Sequence, residues 1–510
     1  MGDRTKNTKR NIVMGLINRI TNILLPFFIR TAILYVLGAQ YLGLNSLFTS
    51  LLQVLNLAEL GFSSAIVFSM YKPIADNDID TVCALLNYYK KVYCYIGIGI
   101  LIVGLAIVPT ITTLIKGSWP SDINIYVLYL IYLFNTVISY FVYSYKGALL
   151  NAFQRIDVVN KTQLITVSGK YFLQLLSLIL FENYYIYILI APVSTAICNL
   201  VIARCADNLF PECQCKGELN NEKKENIYRQ VSGLLLSKLS DTSRNSFDSI
   251  VLSSMFGLTI VAIYSNYLYI YSAIYGVLIT ITQAMQASVG NSIVIESIEK
   301  NYYDLRKFTF FFECIISVCT ACMICMYQPF MKLWVGDKML LNEMDMIMFC
   351  LYFYLINMNN SRNLYFTGNG LWWKAKKVYI VESLGNLILN IVLGKIMGIT
   401  GVLLATIITI FVFNFIIRTN FLFKEYFKVS PKTFYTDHAK YGAETVIICG
   451  ICYFVCEKYT VVFAGITGLF VRGILCVIVS ALLMVIFNMK NSFLKDAFLL
   501  FKECKIRVRS

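Results

Sequence analysis

The stretch LLLSKLSDTSRNSFDSIVL, Leu234 to Leu252, places Lys238, Asp241, Arg244 and Asp248 between runs as apolar as a membrane helix. On a helix these four fall within an arc of about 120°, one polar stripe on an otherwise greasy cylinder. A charge at the bilayer centre costs about 3 kcal/mol or more, so such a stripe must face a bundle interior or a watery cavity. The first apolar run carries a second stripe, with Arg19, Asn22, Pro26 and Arg30 within about 80° by the same arithmetic.

These residue types suit two kinds of chemistry. Arginines with no acid in their own helix match phosphate or pyrophosphate, whose oxygens accept the guanidinium fork in a bidentate way. Carboxylates beside them suit ion coupling, loading H⁺ or Na⁺ on one side and releasing it on the other. Arg30, Arg19, Arg244 and Lys238 are therefore candidate pyrophosphate ligands, and Asp248, Asp241 and Glu59 candidate carriers of a coupling ion. The alternative for the seventh segment is mutual neutralisation, because Lys238 with Asp241, and Arg244 with Asp248, stand three and four residues apart. Glu59, in NLAELGF, reads as mid-helix and has no partner near in sequence.

The elements that must hold these residues follow from hydropathy. The 510 residues are 58% hydrophobic and 14% charged, and the mean hydropathy is +0.66. A soluble domain is about a quarter charged, so the class is an all-α polytopic membrane protein. Apolar runs of roughly twenty residues or more lie near 11–37, 42–70, 82–114, 123–149, 160–181, 184–206, 228–256, 259–289, 306–328, 342–365, 375–397, 400–423, 439–457 and 461–488. About fourteen spans result. One set of loops carries Lys6, Arg10, Lys161, Lys223, Lys307, Lys376, Lys428 and the tail from Lys490 to Arg509, whereas the other holds only Lys116, Lys332, Lys338, Lys395 and Lys458. By the positive-inside rule both termini are cytoplasmic.

The longest polar break, DNLFPECQCKGELNNEKKEN, divides the chain into an N-terminal lobe (1–206), a cytoplasmic linker (207–227), a C-terminal lobe (228–423) and a last helix pair with a basic tail (424–510). Transporters built from repeats place their site between two such lobes. Sliding the chain by 219 positions lays LGAQYLGLNSLF, from Leu37, on FGLTIVAIYSNY, from Phe256, so that Gly38 meets Gly257, Ser46 meets Ser265 and Arg19 meets Lys238.

Several functions are set aside. The net charge of +15 is spread through short loops and forms no long basic face, so no nucleic-acid partner is expected. Cys319, Cys322 and Cys325 have metal-like spacing but read as small core residues in a greasy helix. Cys213 and Cys215 read as reduced thiols in a cytoplasmic loop, and His438 is the single histidine, so no metal or cofactor is expected. No G-x-x-x-x-G-K-[ST] loop exists for ATP. The acids of ADNDID, Ala75 to Asp80, read as a helix cap rather than the metal-binding pair of a glycosyltransferase.

The run YLGLNSLFTSLLQVLNLAELGFSSAIVFSMYKPIADND, Tyr41 to Asp78, resembles bacterial polysaccharide and O-antigen flippases (Wzx-like, the polysaccharide-transporter branch of the multidrug/oligosaccharidyl-lipid/polysaccharide, or MOP, superfamily). FDSIVLSSMFGLTIVAIYSNY, QASVGN and YFTGNGLWWK extend the resemblance along most of the chain. It implies two pseudo-symmetric six-helix lobes plus two C-terminal helices, around a cationic cavity. It implies ion-coupled flipping of undecaprenyl-pyrophosphate-linked oligosaccharide from the inner to the outer leaflet of the bacterial inner membrane. It also implies membrane lipids, a polysaccharide polymerase and glycosyltransferases as partners. The family pattern places an arginine at Arg30 and an acid at Asp248; Lys238 and Asp241 are less regular features of it. The competing readings are a multidrug or cation antiporter of the same superfamily, which needs an acidic or aromatic cavity, and a membrane enzyme of polysaccharide assembly.

Overall fold

The structure, a computed structural model, describes residues 2–59, 62–459 and 465–494. Among them there is no strand. The chain divides into two compact units, Met1–Ser265 and Asn266–Ser510.

The first unit contains α1 (Gly2–Ala32), α2 (Ala39–Leu55), α3 (Phe62–Ala75), α4 (Ile79–Ile107), α5 (Ile125–Phe141), α6 (Lys146–Ala152), α7 (Ile156–Phe181), α8 (Tyr184–Leu209), α9 (Asn221–Phe256) and the start of α10 (Leu258–Ile295). The second contains the rest of α10, then α11 (Ile298–Val335), α12 (Glu343–Asn357), α13 (Asn360–Gly368), α14 (Lys376–Met397), α15 (Ile399–Thr409), α16 (Arg418–Leu422), α17 (Lys432–Tyr459) and α18 (Gly465–Phe487).

Among the described residues, ten helices are long and apolar enough to cross a membrane, or eleven if α5 and α6, bent by 53°, form one span. The protein is therefore a multi-pass membrane protein. The three other expected spans are helical but depart from a plain apolar rod. Residues 42–70 break at a 3₁₀ turn over Asn56–Glu59, 342–365 break between α12 and α13, and α9 carries the charged stripe. At 36 residues α9 is far longer than the roughly twenty a bilayer needs.

Loop polar residues set where the helices begin. Asn124, Asn183 and Asn342 accept from the first free backbone N–H groups of α5, α8 and α12 at 2.8–3.2 Å. Asp78 does the same for α4, accepting from Thr81 N at 3.0 Å, so one acid of ADNDID acts as a cap. Hydrogen bonds from Thr81, side chain first and backbone second, hold the Asp78 carboxyl below the usual range.

The polar break after α8 is packed rather than free. Asn87 of α4 donates to Gly217 O at 2.9 Å, and Lys146 pairs with Asp207. The two glycines matched by the 219-residue offset share one backbone state: Gly38 stands at φ 111°, ψ 173° and Gly257 at φ 88°, ψ 178°. A side chain would be strained at either, so both breaks demand glycine. Each closes a charged helix and opens the next, which gives the repeat a structural counterpart.

Candidate functional site

Arg30 lies in the last turn of α1 and is partly buried. Its Nη2 donates to Ser265 Oγ at 2.8 Å, and Ser46 Oγ of α2 donates to the same oxygen at 2.9 Å. Ser265 in turn donates to Ala262 O at 3.0 Å, which fixes its hydroxyl in an accepting orientation toward Arg30. The approach of α2 to α10 that makes this possible rests on Gly43, where a Cβ would lie 2.1 Å from Leu258 O. Lower in α1, Asn18 reaches Gln163 of α7 at 3.3 Å, and Asn22 donates to Asn18 Oδ1 at 2.9 Å. Asn22 thus joins a polar seam, and both it and Arg19 are exposed.

On α9 the stripe separates by depth. Asp248 is 1% exposed and accepts from Tyr264 Oη at 2.7 Å. Arg244, one turn away, is 4% exposed, and Lys238 is exposed. The side chain of Asp241 lies outside the described residues. Tyr264 and Ser265 are consecutive on α10, so the acid of α9 and the arginine of α1 are held by neighbouring residues of a single helix.

Glu59 is not mid-helix. It ends the 3₁₀ turn between α2 and α3, where the broken ladder frees its side chain to turn inward. Its Oε2 accepts from Tyr140 Oη of α5 at 2.7 Å, and its Oε1 accepts from Tyr93 Oη of α4. Tyr140 also reaches Asn56 Oδ1 at 3.0 Å. The carboxylate is thus the acceptor hub of three elements, all within the first unit.

No protein-family model matches the sequence, and no curated protein sequence matches it. Solved structures do. The lipid II flippase MurJ in an inward closed conformation is similar over 94% of this chain and 99% of that one, with a TM-score of 0.66 at 14% identity. An inward-facing multidrug resistance MATE family transporter of the MOP superfamily is similar over 80% of this chain and 99% of that one, with a TM-score of 0.60 at 15% identity. A mutant of the Vibrio cholerae MATE transporter VcmN gives 0.54 at 14% identity, over 84% of this chain and 100% of that one. The fold of this chain is thus similar to that of these transporters.

Within this fold, several partners carry little or no signal in the sequence. Ser265 had one signal, its match to Ser46 in the repeat. Tyr93, Tyr140 and Tyr264 had none, because tyrosine is abundant throughout the chain, at 35 residues.

In the second unit most buried charges are paired between helices. Arg418 pairs with Glu382, and its guanidinium lies 4.2 Å from the Tyr379 ring centre. His438 meets Glu313 at 2.9 Å, while Glu444 accepts from Asn488 at 2.8 Å. A cavity of about 740 Å³ beside α12 and α17, lined by Ile324, Met346, Tyr354, Val446 and Cys449 among others, holds none of the expected site residues.

Proposed function

We propose that this chain is a flippase that moves undecaprenyl-pyrophosphate-linked oligosaccharide from the cytoplasmic to the outer leaflet by ion-coupled alternating access. The observation that carries the reading is Arg30, a partly buried guanidinium inside a span, aimed by Ser265 at 2.8 Å and set in a fold shared with the flippase MurJ. A fixed fork of N–H donors in low dielectric recognises a pyrophosphate better than it recognises a neutral or cationic solute. Arg19, Lys238 and Arg244 are the further cationic groups proposed to meet the head group. Asp248, Asp241 and Glu59 are proposed to carry the coupling ion, H⁺ or Na⁺; no other cofactor is invoked.

In this reading the lobes are 1–206 and 228–423, joined by the linker 207–227, with 424–510 appended. The chain sits in the bacterial inner membrane with both termini cytoplasmic. It acts as a carrier rather than an enzyme, beside the polymerase and glycosyltransferases that consume and make its cargo.

The alternative is a cation antiporter of the MATE type. Asp248, buried and held by a tyrosine, favours it, because an acid in an aromatic surround can exchange a proton for an organic cation. Reconstitution decides between them. Liposomes carrying a fluorescent undecaprenyl-pyrophosphate oligosaccharide are followed for access to an impermeant quencher, with and without a pH or Na⁺ gradient. Gradient-dependent movement supports the flippase; no movement together with uptake of small organic cations replaces it with the antiporter.

A further inference from the structure

Three helices of the second unit, α11, α17 and α18, bring an unusual set of side chains together. Cys322 and Cys325 on α11 are one turn apart, Cys449, Cys452 and Cys456 share a face of α17, and Cys476 lies on α18. All six belong to or pack against a single buried cluster. The Sγ atoms of Cys325, Cys456 and Cys476 all lie within 4.8 Å of one another, and all three residues have 0% exposure. None is in a disulfide.

Small apolar packing accounts for an isolated buried cysteine. It does not account for three separate helices each presenting a thiol to one point. A metal bound by thiolates at about 2.3 Å holds three sulfurs about 4 Å apart. The present separations close to that by side-chain rotation. Among the described residues, no carboxylate or imidazole joins the three sulfurs. Purely soft ligands select thiophilic ions such as Zn²⁺ or Cu⁺ over Mg²⁺ or Ca²⁺.

Arg472 of α18 pairs with the half-exposed Glu457 of α17, and its backbone O accepts from Cys456 Sγ at 3.8 Å. The backbone of Arg472 therefore touches the cluster, while its guanidinium is engaged by Glu457. Cys452, itself 0% exposed, donates to Cys476 O at 3.9 Å and packs in the same cluster.

We propose that Cys325, Cys456 and Cys476 form a three-thiol site for one thiophilic d¹⁰ metal ion, which ties the last two helices to α11. As each metal–sulfur bond forms, the thiol proton leaves to solvent; nothing is oxidised or reduced. The site is independent of the flippase reading, since none of the residues proposed for cargo or coupling ion belongs to it.

The test uses the full-length protein, purified in detergent under reducing, metal-free conditions and titrated separately with Zn²⁺, Cd²⁺ and Cu⁺. Ion retained after gel filtration is counted by elemental analysis, and Cd²⁺–thiolate charge transfer is read in the ultraviolet. The expected result is one ion per chain, a rise in thermal midpoint with metal, and loss of both in Cys456→Ser and Cys476→Ser. Cys94→Ser and Cys205→Ser, which do not belong to the cluster, should retain both. Absence of stoichiometric retention by the unsubstituted protein overturns the proposal whether or not any variant folds. Retention unchanged in Cys476→Ser overturns it equally.

Discussion

Arg30 donates to Ser265 at 2.8 Å across 235 positions of sequence, and Ser265 is the residue that the 219-residue offset pairs with Ser46, its second donor. The matched positions of the repeat thus meet in space, and the first arginine of the account is aimed by their junction. Ser265→Ala removes one neutral acceptor from a charged donor, worth about 1.5–3 kcal/mol in a buried setting. The expected outcome is transport reduced about tenfold or more at normal membrane abundance. Arg30→Lys keeps the charge but loses the fork, so it should also lower transport. Initial rates at matched reconstitution check both.

Asp248 and Tyr264 form the second pair, at 2.7 Å. If Asp248 carries the coupling ion, Asp248→Asn leaves a residue that cannot exchange charge. Transport by that variant should lose its response to an imposed gradient, while passive equilibration of cargo persists. Tyr264→Phe should keep coupling but shift the pH or Na⁺ concentration at half-maximal rate. A full gradient response in Asp248→Asn removes the residue from the coupling role.

The pair Arg418 and Glu382 has side chains only 7% and 3% exposed. Removing one partner strands a buried charge, which costs about 3–5 kcal/mol. Glu382→Ala should therefore lower the thermal midpoint sharply, and the double change Glu382→Leu with Arg418→Met should recover most of it. Thermal unfolding of the three proteins, with no functional assay, decides the point.

Cys213 sits in the packed break after α8, and burial, followed by its neighbours Cys83 and Glu212, pushes its thiol up to about 11. The thiolate is the reactive form, so at neutral pH alkylation should be slow and should rise about tenfold per pH unit until near that value. In a variant keeping only this cysteine, mass spectrometry after timed iodoacetamide treatment gives the profile. A flat profile between pH 7 and 10 contradicts the buried placement. Reaction from only one face of sealed vesicles also tests the cytoplasmic placement of the loop.

The order of the spans could be read from hydropathy because lipid tolerates few charges, and six of the helices begin at a capping Asn, Asp or Ser. The breaks inside spans could not. Nothing in NLAELGF marks a 3₁₀ turn, so Glu59 read as a lone acid, although Tyr93 and Tyr140 hold it from helices 34 and 81 positions away. The stripe on α9 was legible as a face; its division into buried Arg244 and Asp248 and exposed Lys238 depends on neighbours that periodicity does not encode. Likewise, the Cys319, Cys322 and Cys325 spacing drew attention to α11, but the sulfurs that meet Cys325 come from α17 and α18.

The most direct measurement is the quencher-access assay on Arg30→Ala beside the unsubstituted protein, at equal reconstituted amounts and with a gradient imposed. The expected result is gradient-driven movement of the pyrophosphate-linked oligosaccharide by the unsubstituted protein and none above empty liposomes by Arg30→Ala, with both proteins monodisperse on gel filtration. Equal rates in the two would contradict the pyrophosphate role of Arg30 and, with it, the flippase reading.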